Sequence, residues 1–233
     1  MKSYEPREKR LLLVRRNERL TALAGILLLV IITVELLITA DLHALIPIHI
    51  FIGVVLSGPL IVKLFSAGYR FVRYYAKHPE FVEHGPPNIW LRLLAPALVL
   101  MTILVFVSGF GLAFAGPTNS HLFFDIHAAS TALWIPLVAV HVYAHIRKAR
   151  RLIASDWNRQ SADRVPGRTG RLRFTLTGLV VGLLAAVLMI PVSTPWDHWI
   201  ISPVLPTPLV LGVMAAVFGI IIAVPLLRDA RDS

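Results

Sequence analysis

The chain has 233 residues, of which 56% are hydrophobic and only 15% charged, and its mean hydropathy is +0.71. A soluble domain carries roughly 25% charged residues, so this composition excludes an ordinary soluble fold and implies a membrane protein. The net charge of +10 does not imply nucleic acid, because the basic residues flank apolar runs. The absence of cysteine excludes disulfides, thiolate metal sites and cysteine-held iron–sulfur clusters.

Residues 1–19 form a basic segment in which Arg7, Lys9, Arg10, Arg15, Arg16 and Arg19 precede the first apolar run. That run, Thr21 to Ala40, exceeds the roughly 7 to 15 residues of a signal-peptide core, so an uncleaved helix is expected. Six apolar spans follow one another, at about 20–41, 45–66, 92–115, 122–146, 172–192 and 205–227, each near the ~20 residues that cross a bilayer. Drawn as alternating helices, they place all 23 Lys and Arg on one side and Asp41, Asp125 and Asp197 on the other. Basic loops mark the cytoplasmic side, so both termini are expected there, in a multi-pass protein of the plasma (inner) membrane.

Short outer connections make the first and second spans antiparallel neighbours, and likewise the third and fourth. The second is expected to run on through Gly68 to Lys77, ended by Pro79 and by Gly85, Pro86 and Pro87. The polar stretch from Ser155 to Gly170 reads as a mobile linker. The expected organisation is all-α: a basic tail at 1–19, a four-helix core at 20–150, a linker at 151–171, and a C-terminal helical hairpin with its tail at 172–233.

Four of the nine histidines, His49, His127, His141 and His145, lie on the second and fourth spans, where polar residues are costly and usually face the bundle interior. His49 and His127 each lie about one turn in from the uncharged side, on the second and fourth spans. Two histidines at equal depth on facing helices suit a b-type haem. Small residues beside them (Gly53, Gly109, Gly111, Ala128, Ser130, Thr131) would admit a flat macrocycle, or simply pack helix on helix. The pair has two other readings: a polar contact holding two helices, or a non-haem metal or proton relay.

His127 and His141, fourteen residues apart, stand about 21 Å apart along one helix face, with Trp134 midway as core packing rather than an electron relay. That spacing suits two stacked haems, but the partner position for His141, fourteen after His49, is Lys63. His78 lies about 43 Å beyond His49 on a continuous helix, and His141 and His145 share one face. One haem is therefore the central expectation. A second would need a non-histidine ligand or another chain. Lys63 has two readings: an ammonium that snorkels to the interface, or an anchor for a haem propionate or quinone head group. His43 and His121, each six residues before a paired histidine, are either solvated or an outer metal or propionate site. His198 lies in a loop.

These residues resemble the b-type haem membrane cytochromes of the formate dehydrogenase gamma-subunit type, and a set of small actinobacterial-type membrane proteins. The likeness rests on His49-Ile50-Phe51-Ile52-Gly53, Lys63, the run Gly68 to Tyr75, Gly85-Pro86-Pro87, Leu91 to Pro96, and His127 with Trp134, His141 and His145. It covers about residues 20 to 150. It implies a four-helix haem-binding core and electron transfer, with His127 and His141 as haem ligands. The first span lacks the family's usual histidine.

The function expected is a membrane electron-transfer subunit, the cytochrome b part of an oxidoreductase. Its haem would stand between a quinone or flavoprotein and an acceptor at the outer face, alongside membrane lipid and other subunits of a redox complex. The alternative is a non-redox scaffold or assembly subunit with structural histidines. A proton-coupled transporter is a third class, but no internal repeat or matched pair of broken helices supports it. No residue reads as a hydrolytic or group-transfer catalyst.

Overall fold

The computed structural model of the chain describes residues 4–82, 89–158, 160–197, 199 and 206–227, with side chains from residue 11 onward. Among these residues there is no strand. Seven α-helices carry the chain: α1 (Tyr4–Ile38), α2 (Leu42–Tyr75), a short α3 (Pro79–Val82), α4 (Ile89–Ala115), α5 (His121–Trp157), α6 (Arg168–Ser193) and α7 (Pro208–Leu226). The expected breaker Gly85-Pro86-Pro87, the loop residue His198, and Arg228 and Arg231 lie outside the described residues.

Five helical stretches are long and apolar enough to cross a bilayer, and the longest, Leu11–Tyr75, has 65 residues. That one holds two crossings, because the chain reverses at the 3-10 turn Thr39–Asp41. Glu35 meets His49, fourteen residues on, where a straight helix would separate them by about 21 Å. The turn is fixed locally. Asp41 Oδ1 accepts the Ala44 backbone N–H at 3.1 Å and so caps α2. The result is an all-α membrane protein with six apolar crossing helices. Large apolar side chains such as Phe65, Phe114, Leu122, Leu188 and Phe218 stand exposed on them, as expected of a surface that lipid covers.

α2 ends two residues short of the expected Lys77. The His78 N–H bonds Arg73 O at 3.1 Å and the Lys77 N–H bonds Tyr74 O at 3.0 Å, with Lys77 at φ 57°. This is a Schellman closure, and Pro79 follows it.

The chain forms two compact units. The first comprises residues 1–30, 56–86 and 146–182. Its helices approach backbone to backbone at Gly58 of α2 and Gly178 of α6. A Cβ on Gly58 would run into the Gly178 carbonyl and come 2.8 Å from the Gly182 nitrogen. Gly178 and Gly182 are four residues apart, the small-residue spacing that lets membrane helices touch. Some charged groups of this unit pair with one another. Asp156, 4% exposed, receives Arg19 Nε at 2.7 Å and also binds Arg171. Glu18 receives Lys148 at 3.3 Å. The segment expected to be a mobile linker is fastened here. α5 continues through Asp156 to Trp157, and Val165 is 2% exposed, because a carboxylate held by two guanidiniums ties the chain down.

The second unit comprises residues 31–55, 87–145 and 183–233. α7 packs on α5 and α1, where Gly212 faces Ile135 and Leu36 and Gly219 faces Pro136. Trp134 of α5 donates its indole N–H to Thr102 Oγ1 of α4 at 2.9 Å, which makes it a link between two helices.

Candidate functional site

The second unit brings His49 of α2 and His127 of α5 together, with ring centres 6.2 Å apart and planes at 81°. Each ring is held through Nδ1 by a different kind of partner. His127 Nδ1 lies 3.0 Å from the Val105 carbonyl and 3.2 Å from Ser108 Oγ, both on α4. A carbonyl oxygen only accepts, so Nδ1 carries the proton and Nε2 keeps its lone pair. Val105 and Ser108 stand almost one turn apart on α4, and Ser108 itself donates to Leu104 O at 2.6 Å. Gly109 lets the ring in: a Cβ there would sit 3.2 Å from His127 Cε1.

His49 Nδ1 meets the Glu35 carboxylate of α1. The contact is close but not angled as a hydrogen bond, so His49 Nδ1 counts among the buried atoms with no hydrogen-bond partner. A neighbouring carboxylate draws the imidazole proton to Nδ1, which again leaves Nε2 as the free donor atom. His49 Nδ1, Glu35 Oε2 and Thr131 Oγ1, the last one turn beyond His127, are buried with no hydrogen-bond partner among the described residues.

Among the described residues no group of three or more His, Cys, Asp or Glu is arranged to hold a metal ion. His49 and His127 are the two side chains here that could hold a metal-bearing group between them, since a metal–imidazole bond is roughly 2 Å long and two such bonds leave ring centres on the order of 6 Å apart.

The other sequence candidates fall elsewhere. Gly53, one turn from His49, has open space where a Cβ would stand. Gly111 serves packing, since a Cβ there would run into the Phe123 ring. Ala128 is exposed, and Ser130 is buried, bonding back to His127 O at 3.2 Å. His141 lies beside His145, ring centres 4.7 Å apart on one face of α5. Lys63 belongs to the first unit, where its ammonium lies against α1: a Cβ on Gly25 would be 2.6 Å from Nζ. His78, also in the first unit, bonds Arg73 at 2.9 Å. His43 and His121 are exposed.

Sequence reasoning missed Glu35. The signal was present, a lone carboxylate inside an apolar span, where ionisable residues mark functional positions. It also missed Val105 and Ser108, which no sequence pattern distinguishes. Comparison of the chain with protein-family models, curated proteins and solved structures finds no match.

Proposed function

We propose that this protein is a membrane electron-transfer subunit whose second unit holds one b-type haem between His49 and His127. One observation carries the reading. Two imidazoles on different helices stand with ring centres 6.2 Å apart, His127 held through Nδ1 by the Val105 carbonyl and His49 Nδ1 beside the Glu35 carboxylate. Buried polar atoms are costly, and a pair of imidazoles aimed in this way needs a reason beyond packing. Bound haem supplies a one-electron redox change. His49 and His127 would hold the haem, the Val105 carbonyl and Ser108 hydroxyl set the His127 ring, and hydrogen bonding and burial are the levers on potential. Electrons pass between a quinone or flavoprotein and an acceptor at the outer face, within a complex of further subunits. The one-sided Lys and Arg support a plasma-membrane protein with both termini in the cytoplasm.

The test is the visible spectrum of the protein purified with haem supplied. We expect a low-spin b-type spectrum, lost in His49→Ala and in His127→Ala while membrane insertion persists, and kept in His43→Ala. A colourless wild-type protein removes the redox reading and leaves the histidines as a polar contact in a scaffold subunit. A full Soret band in both single variants assigns the haem to other ligands. A reporter fused after Ser233 that reads as extracytoplasmic overturns the topology.

A further inference from the structure

Glu35 sits in an apolar helix, presents one carboxylate oxygen to His49 Nδ1, and buries the other with no partner among the described residues. As a structural contact this is a poor arrangement. A buried polar atom left without a partner costs about 1–3 kcal/mol, and an apolar side chain of similar size would avoid that cost. The two rings are treated unequally: His127 faces a neutral carbonyl and a hydroxyl, His49 a carboxylate.

We infer that Glu35 is a positioning residue for His49. It orients the ring, holds it as the Nδ1–H tautomer with Nε2 turned to the site, and makes it the more electron-rich of the two donors. A carboxylate behind a metal-bound imidazole raises the basicity of that ligand, and loss of such a partner typically weakens metal binding on the order of 10- to 100-fold. A more basic ligand favours the oxidised metal, so Glu35 lowers the potential of whatever the pair binds. The inference rests on the haem reading for its effect on potential, but not for its effect on the ring.

Three variants separate these roles: Glu35→Asp, Glu35→Gln and Glu35→Leu. In the protein without haem, 15N-histidine NMR should show His49 as the Nδ1–H tautomer in the wild type and as a mixture in Glu35→Leu. Thermal stability of the haem-free Glu35→Leu protein should equal or exceed the wild type. Titrated with hemin, Glu35→Leu should bind on the order of 10- to 100-fold more weakly. Glu35→Gln, which keeps an acceptor and loses the charge, should bind nearly as well with a higher midpoint potential, and Glu35→Asp should return the potential towards the wild type. If no variant takes up hemin, including the wild type, the haem reading fails, and the tautomer measurement alone decides for or against Glu35. An unchanged His49 tautomer in Glu35→Leu overturns the positioning role. So does a haem-free Glu35→Leu protein that melts well below the wild type while the potential of Glu35→Gln stays unmoved, because that is the behaviour of a structural contact.

Discussion

In the unit that contains Arg19, Asp156 and Arg171, the buried charges are matched: the carboxylate is shared by two guanidiniums, and Arg171 also bonds Val165 O at 3.1 Å. In the unit that contains Glu35, His49 and His127, three buried polar atoms, Glu35 Oε2, His49 Nδ1 and Thr131 Oγ1, have no hydrogen-bond partner among the described residues. Matched groups repay their desolvation by holding the chain in one arrangement. Unmatched ones cost stability and call for an explanation, such as a water, an ion or a functional role.

The largest effect expected is from Asp156→Asn. It strands two buried guanidiniums, and breaking a buried pair from one side costs about 3–5 kcal/mol. Reversible unfolding in mixed micelles measures it; a loss under 1 kcal/mol would falsify the assignment of this cluster to the fold. Next comes Gly58→Leu. Its side chain would collide with the Gly178 carbonyl, and such overpacking costs about 1–3 kcal/mol. A stability equal to the wild type would mean that α2 and α6 do not touch there. Trp134→Phe keeps the ring and loses the hydrogen bond to Thr102. Bonds of this kind in membrane helices average about 0.6 kcal/mol, measurable by a double-mutant cycle with Thr102→Val. The smallest effect is expected from the triple variant Glu35→Leu, His49→Leu and His127→Leu in haem-free protein, which strands no charge, with stability unchanged or slightly raised. A loss comparable to that of Asp156→Asn would erase the contrast between the units and return the histidines to a structural role.

The sequence by itself determined the class and the path of the chain. Hydropathy fixes which residues lie in lipid, because a bilayer forbids unsatisfied backbone and so admits only helices of about 20 apolar residues. The reversal at Thr39–Asp41 and the end of α2 near Lys77 were legible for the same local reasons, a charged break in an apolar run and a proline that cannot extend a helix. The meeting of His49 and His127 was legible from their equal depth. What lies behind each ring was not. Glu35 is fourteen residues from His49, and Val105 and Ser108 are 22 and 19 from His127, and which side chain faces which depends on helix rotation, a property of packing. The linker shows the same division. Its polar composition reads as a solvated loop, yet Asp156 is buried because Arg19, 137 residues earlier in the chain, reaches it. Local rules decide where helices start and stop, since they act over one turn of backbone. Only the tertiary structure decides which polar atoms are answered and which are left over, since that depends on neighbours the chain brings from far away.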